Sequence, residues 1–352
     1  MAGLSTFAPA PSRDIITACA PFCRCRPTRT RLVYRLRAFR NSDPPHLAAI
    51  WRSQPPQRGV LQPISPPLLE YAVFSKLNFD RQGLIVATRD DVPVGFVHAG
   101  FGPTDDGLHL DTSLGVTQML MVQGGAEAEA PLADELLHAS EEYLRSRGAT
   151  VLYAGGINPL NSFYLGLYGG SEIPGVLQTD QVLRAAAERA NYRELDRVLI
   201  MQCDLDRVRP PVSRELRAIK RTTQLIEKID PEPKTWWEAC IWGSSQRDVF
   251  SLFDKSQNRT VATASFWDMQ PLSTCWGMTA AGLFDLQVDG HLRRKGYASY
   301  LLGEAIRILR RRGVTVIEAQ TMASNEAARA FYLKFGFTEI DYGIVFRKES
   351  TL

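Results

Sequence analysis

Two stretches of this chain repeat one another in register, and the repeat limits the fold more than any single motif. Residues 145–173 read RSRGATVLYAGGINPLNSFYLGLYGGSEI, and residues 310–340 read RRRGVTVIEAQTMASNEAARAFYLKFGFTEI. Arg147-Gly148, Thr150-Val151, Phe163-Tyr164-Leu165 and Glu172-Ile173 match Arg312-Gly313, Thr315-Val316, Phe331-Tyr332-Leu333 and Glu339-Ile340, at offsets of 165 to 168 residues. A period that long marks a duplicated domain, because solenoid repeats recur every ~20–50 residues. Each copy must therefore bury a core of its own kind, and 352 residues suffice for two such cores.

Hydrophobic periodicity gives both copies the same order of elements. In the first, strands are expected at Leu32–Phe39, Leu84–Thr88, Val94–Phe101, Gly115–Val122 and Thr150–Ala154. Helices are expected at Pro45–Ser53, Pro66–Leu77 and Pro131–Arg147, with a short one near Asn161–Leu167. In the second, Val249–Asp254 and Thr260–Asp268 form a hairpin, followed by strand Ala281–Val288, helix Tyr297–Arg312, strand Val314–Gln320, helix Asn325–Phe335 and strand Tyr342–Arg347. Ala298, Leu301, Leu302, Ala305, Ile306 and Leu309 make a one-faced stripe on the first of those helices. A strand-like run, Val198–Leu205, precedes a linker near Arg207–Pro211. The expected class is α/β with a mixed sheet, divided into a leader (1–30), a first domain (31–207) and a second domain (208–352).

Charge is unevenly placed. Residues 1–40 hold eight arginines and one acid, +7, so the remainder of a chain of net +3 is about −4. The near-neutral body argues against a nucleic-acid binder. The leader reads as disordered, as an organelle-targeting segment or as a mis-started leader, and Ile15–Phe22 is too short and broken for a secretory signal. Cys19, Cys23 and Cys25 lack a fourth local ligand for zinc, and His46, His98, His109, His138 and His291 show no ligand spacing, so no metal is expected. Six cysteines in so long a chain make no disulfide framework, which points to a reducing, cytoplasmic setting. No apolar run approaches the ~20 residues that cross a bilayer, and no membrane association is expected.

The chemistry concentrates in V-D-G-H-L-R-R-K-G-Y-A, residues 288–298. Gly296 lets a phosphate approach the main chain, the helix opening behind it carries unpaired N–H groups, and Arg293, Arg294 and Lys295 add charged donors. Taken alone, this is equally an ordinary basic loop before a helix. The segment resembles the acetyl-CoA signature of the GNAT family of N-acetyltransferases, R/Q-x-x-G-x-G/A, standing here as Arg293-Arg294-Lys295-Gly296-Tyr297-Ala298. That family's second signature, N-x-x-A-x-x-x-Y-x-x-x-G-F, stands complete as Asn325, Ala328, Tyr332, Gly336 and Phe337. The likeness is strong over 282–340, extends over 245–348 and is weaker in the first half.

The resemblance implies two tandem GNAT acyl-CoA N-acyltransferase folds and direct transfer of an acetyl group from acetyl-CoA to an amine. It implies that main-chain groups around Val288 pair with the pantetheine arm and that the amides of Arg294 to Ser299 hold the pyrophosphate. Asn325 would lie beside the arm, and Tyr332 would protonate the departing thiolate. Read by spacing alone, Tyr332 is better taken as a core residue, since Ala328, Phe331, Tyr332 and Phe335 share one helical face, and it is the full signature around it that reverses the preference. Where some relatives carry a carboxylate five residues before the signature asparagine, this chain has Gln320, so the base is expected to be Asp285, then Glu318, or a water chain leading to either.

The first copy is degenerate. Its turn reads Q-G-G-A-E-A-E-A from Gln123, and Glu127 and Glu129 place negative charge where a diphosphate would lie. Asn158 and Tyr164 survive, one residue closer together than Asn325 and Tyr332. One acetyl-CoA site is thus expected, in the second half, with a small-molecule or peptide amine as the other substrate and a monomer or homodimer as the assembly. The rival readings are a non-catalytic CoA-binding sensor or interaction module, and an acyltransferase using another acyl-CoA or a non-amine acceptor. Trp236, Trp237, Trp242, Trp267 and Trp276 serve either core packing and burial between the halves or an apolar acceptor pocket.

Overall fold

The computed structural model describes residues 34–124, 129–209, 211–243, 245–270 and 272–349. The basic leader with Cys19, Cys23 and Cys25, together with Glu127, lies outside the described residues. Residues 34–349 supply strands where apolar side chains alternate and helices where they recur every three to four positions. The first half runs β1 (Arg35–Ala38), α1 (Pro44–Arg52), α2 (Pro66–Leu69), β2 (Leu84–Arg89), β3 (Val92–Pro103) and β4 (Leu110–Val122). It continues through α3 (Ala130–Ser146), β5 (Val151–Ala154), β6 (Val176–Leu177), α4 (Gln181–Arg189) and β7 (Arg193–Asp204). The second half runs α5 (Arg214–Thr222), β8 (Thr223–Ile229), α6 (Trp236–Trp242), β9 (Arg247–Asp254), β10 (Arg259–Asp268) and α7 (Leu272–Cys275). It ends with β11 (Ala280–Val288), α8 (Tyr297–Arg311), β12 (Val316–Met322), α9 (Glu326–Phe335) and β13 (Thr338–Glu349).

Local chemistry sets these limits. Ser213 caps α5 by accepting from the Leu216 amide, and Asn325 caps α9 by accepting from the Ala328 amide. Gly336, at φ 98°, ends α9 in the left-handed conformation that glycine adopts without a β-carbon clash. Helix α8 buries Leu301, Leu302, Ala305, Ile306 and Leu309 on one face, each large side chain contributing about 1.5–3 kcal/mol. Two expected helices differ. The segment beginning at Pro66 passes after Leu69 into a π-helical turn, Glu70–Phe74, and residues 161–167 form no helix. Where the second half offers E-A-A-R-A, the first offers Pro159, Asn161, Ser162 and Gly166, all poor helix formers, and Tyr164 turns left-handed at φ 63°.

All the strands join one mixed sheet, ordered β1-β2-β3-β4-β5-β13-β7-β12-β11-β10-β9-β8, with β6 beside β13. The halves exchange strands in its middle. β13, from the second half, pairs antiparallel with β5 (Phe346 opposite Ala154), while β7, from the first, pairs antiparallel with β12 (Ala319 opposite Met201). The cores follow the exchange. Leu199, Met201 and Cys203 of β7 pack with Leu301, Ile306 and Ile317, whereas Ile344 and Phe346 of β13 pack with Leu152 and Leu136. Produced alone, residues 208–352 would lack β7 and expose two strand edges and one face of their core. Such a fragment is expected to show no cooperative melt by far-UV circular dichroism, and 193–352 to regain one.

A parallel pair forks in each half. β11 and β12 are paired from Ala280 opposite Val316 to Leu283 opposite Ala319; β11 then stays with β10 as far as Val288, and β12 with β7 as far as Met322. β4 and β5 are paired from Leu114 opposite Val151 to Thr117 opposite Ala154, while β4 runs on to Val122. In the first half that opening is filled from within. Gln118 Nε2 donates to the Leu160 carbonyl at 3.0 Å, and Phe163 is buried in the cluster that holds Met119 and Met121 of β4.

Candidate active site

The basic turn between β11 and α8 folds as a cradle. Asp289 accepts from the His291 amide and pairs with Arg259, holding the chain as it leaves β11. Arg294 and Gly296 both take positive φ, 62° and 90°, and Gly296 opens α8 without any side-chain cap. At that φ a side chain is strained, and a β-carbon on Gly296 would lie 3.1 Å from Leu216 Cδ2. The first amide to bond inside the helix is that of Tyr300, to the Gly296 carbonyl at 2.9 Å, so the Tyr297, Ala298 and Ser299 amides precede the ladder. Arg293, Arg294 and Lys295 are exposed around them. Three amides at a positive helix end, ringed by three cations, have the chemistry to receive an anion.

A groove of about 660 Å³ leads from this cradle along the fork. Val288, Arg293, Ala298, Asn325 and Tyr332 line it. Lys295, Gly296 and Tyr297 are not among its lining residues, and Ser299 borders a smaller cavity toward α5 together with Leu216 and Lys220. The Asn325 side-chain oxygen Oδ1 accepts from the Ala328 amide at 3.1 Å, so this residue fixes the start of α9 as well as lining the groove. Tyr332 is 8% exposed, edge-on to Phe331 and tilted against Phe337. Burial first, then the negative charges of Glu172 and Asp285, push its phenol well above the ordinary value, so it stays protonated.

On the other side of β10 lies a second cavity of about 640 Å³, sharing Thr260 and Thr263 with the groove. Asp285 lines it, with Lys234, Glu238, Arg247 and the Trp242 ring, which stacks on Phe284 at 4.1 Å. Asp285 is half-buried; burial raises its pKa, while Gln287 and Lys234 oppose the rise. Glu318 is placed differently. It is fully buried, and its oxygens accept from Arg58 (3.2 Å), the Ser171 amide (2.7 Å) and Gln202 (2.9 Å). Burial raises its pKa against the pull of Arg58. The fold thus brings Tyr332 and Asp285 into one electrostatic neighbourhood and commits Glu318 to a buried ion pair between the halves.

Residues 215–337, which hold the cradle, the groove and Tyr332, match the model of the Acetyltransferase (GNAT) family. They form a GNAT domain. Over 103 residues the chain is 30% identical to the [ribosomal protein bS18]-alanine N-acetyltransferase of Escherichia coli strain K12, covering 29% of this chain and 65% of that enzyme. The chain therefore spans just under two-thirds of the length of that relative. A tandem GNAT protein from the clavulanic acid biosynthesis pathway shares the fold with a TM-score of 0.63 at 12% identity, over 91% of this chain and 99% of that one. A GCN5-related glucosamine N-acetyltransferase region of a fungal multi-domain GH3 beta-N-acetylglucosaminidase gives a TM-score of 0.65 at 16% identity, over 90% of this chain and 38% of that one. At these identities the structural likeness is one of fold, and it shows the first half to be GNAT-like as well.

Outside the GNAT domain, the first copy's counterparts have become core. Tyr164 is 2% exposed, bonds His98 Nδ1 at 3.0 Å and stacks on Trp51, and burial lowers His98 to about 3, so the ring is neutral. Glu129 pairs with Arg89 at 3.0 Å and accepts from the Tyr34 hydroxyl at 2.7 Å. Three tryptophans pin the halves together: the indoles of Trp237, Trp267 and Trp276 donate to the carbonyls of Pro159, Ser171 and Arg58. Sequence reasoning missed Glu172 as a member of the site. Its match to Glu339 reads only as repeat register, and nothing local announces that its loop crosses into the other half. Among the described residues, no group of three or more His, Cys, Asp or Glu side chains could hold a metal, and no helix is long and apolar enough to cross a membrane.

Proposed function

We propose that this chain is an acyl-CoA-dependent N-acetyltransferase with a single centre in its second half (208–352), using acetyl-CoA as donor and an amine as acceptor. The observation that carries the reading is the arrangement around the fork. An anion cradle opens one end of a groove, a protonated phenol lines that groove, and a carboxylate waits in a cavity across β10. The pyrophosphate fits the amides of Tyr297 to Ser299, with Arg293, Arg294 and Lys295 supplying charge, and the arm follows the unpaired edge of β11 near Val288 and Asn325. The amine, entering from the side of Asp285, attacks the thioester carbonyl; amides on the open strand edge stabilise the oxyanion, and Tyr332 gives its proton to the departing sulfur. Of the two strand carboxylates, Asp285 is assigned to the acceptor side and Glu318 to holding the halves together.

The first half (31–207) binds no cofactor on this reading, because Leu160 and Phe163 fill its fork and its basic turn is missing. It braces the second half instead, through the carbonyls that receive the Trp237, Trp267 and Trp276 indoles and through the Arg58–Glu318 pair. Cys203, Cys240 and Cys275 stand free, in keeping with a reducing cytoplasmic setting. Native mass spectrometry should find one acetyl-CoA per chain, and thiol release should follow addition of amines from a panel of amino acids, dipeptides and amino sugars. Two equivalent sites would overturn the single-centre assignment. Tight binding without turnover across the panel would favour a sensor.

A further inference from the structure

A loop of the first half crosses the point where β11 and β12 part. The Ser171 amide donates to Glu318 Oε1 on β12 at 2.7 Å, and the Trp267 indole on β10 donates to the Ser171 carbonyl at 2.9 Å. The Gln320 side-chain amide, on the first β12 residue beyond the fork, donates to the Glu172 carbonyl at 2.8 Å. On β11, Gly282 lies so close that a β-carbon there would stand 3.0 Å from that of Ser171. Three strands of the second half therefore hold the main chain of residues 171 and 172 at the mouth of the fork. Such fixing is what a positioned proton acceptor requires.

We propose that Glu172, carried by the first half, is a catalytic base of the second half's centre, taking the proton of the acceptor nitrogen at the mouth of the fork. The proposal rests on the acyltransferase reading above. Two neighbours point to a ligand at the same place. Ser171 Oγ and Gln320 Oε1 are buried without a hydrogen-bond partner among the described residues, and an amine or its ammonium form supplies the missing donors. The charges facing Glu172 fit the role. The negative charge of Asp285 on β11 acts on Glu172, Tyr332 on α9 is uncharged, and the half-buried Arg58 is engaged by Glu318. Lys234, just before α6, and Glu238 within it reach Asp285 and offset one another there. Burial and the Asp285 charge bring Glu172 up to about 8, where a base is strong yet partly ionised near neutral pH.

The proton account closes. The nitrogen–carbon bond forms as the carbon–sulfur bond breaks; the nitrogen's proton passes to the Glu172 carboxylate, and the Tyr332 hydroxyl proton passes to the thiolate. Return of the Glu172 proton to the Tyr332 phenolate, directly or through solvent, restores both groups. The products are the amide and free CoA.

The test compares the full-length chain with Glu172→Gln and Glu172→Asp, using acetyl-CoA and the best amine from the panel, across pH 6 to 10. Glu172→Gln is expected to lower kcat at least about 100-fold and to remove the rise in rate through pH about 8. Its Kd for acetyl-CoA should stay within about threefold of wild type, and Glu172→Asp should recover part of the rate. The glutamine keeps the shape of the side chain, and a thermal melt at least as high as that of wild type at alkaline pH shows that the fold is intact. Wild-type rates and an unchanged pH profile in Glu172→Gln would overturn the proposal while leaving the acyltransferase reading standing. A wild-type chain that acetylates no amine would overturn both.

Discussion

Tyr332→Phe is expected to lower kcat by about 100-fold while leaving acetyl-CoA affinity within about threefold of wild type. The substitution removes one hydroxyl and keeps the ring against Phe331 and Phe337, so packing is retained. What is lost is the proton for the departing sulfur, an interaction made only as the carbon–sulfur bond breaks, and such losses appear in kcat rather than in binding. The size sits at the lower end of general acid catalysis because burial and the carboxylates of Glu172 and Asp285 make this phenol a weak acid. Single-turnover thiol release, set beside calorimetric binding of acetyl-CoA, separates the two quantities. An unchanged kcat would remove Tyr332 from the chemistry.

Among single substitutions, the largest expected effect on stability comes from Arg58→Met. Arg58 donates to the fully buried Glu318 and lies over the Trp276 ring at 3.8 Å, and methionine keeps much of its bulk without the charge. A buried carboxylate stripped of its cation costs about 3 kcal/mol, softened here by the Ser171 and Gln202 donors that remain. The loss should depend on pH in a stated direction. Glu318 already holds its proton more tightly in the folded chain than at its ordinary value of 4.5. Removing Arg58 raises that affinity further, so the folded state binds more protons than the unfolded one over a wider range above 4.5. Stability then falls as pH rises through that range and is least affected below it. Urea melts of both proteins at pH 5 and pH 8 check this, and an equal loss at the two values would point to packing against Trp276 instead of charge.

How much could be read from the chain alone follows from how local each feature is. The cradle was legible because its parts are contiguous: Arg293 to Ala298 need only the helix behind them to point their amides outward. The α8 stripe and the helix that follows Asn325 are equally local, and they fall where periodicity places them. The first copy's short helix was misread because a register match to residues 325–335 hid a run of proline, asparagine, serine and glycine. The exchange of β7 and β13 left no mark in periodicity, since each carries a continuous buried apolar run (Val198–Met201 and Ile344–Phe346) that suits either neighbour equally well. Glu172 and Glu318 were illegible for a related reason: what they touch lies about 150 residues away, as the 147 residues between Ser171 and Glu318 illustrate. Charge on a strand says little until its partner is known.

The exchanged strands also set a timetable for synthesis. When β7 has left the ribosome, every residue from Tyr34 to Asp204 is present, yet the neighbour that β5 will finally take, residues 338–349, has not been made. Until then β5 offers an open edge and Leu152 an uncovered face, in a nascent chain that must add about 130 more residues. At typical elongation rates of about 5–20 residues per second that wait lasts roughly six to thirty seconds, far longer than strand pairing itself takes. A premature union of β5 with β7 is the obvious wrong turn, and it must be undone before β13 can enter between them. Cellular folding of this chain is therefore governed at its end, and chaperone demand should fall on the half translated first.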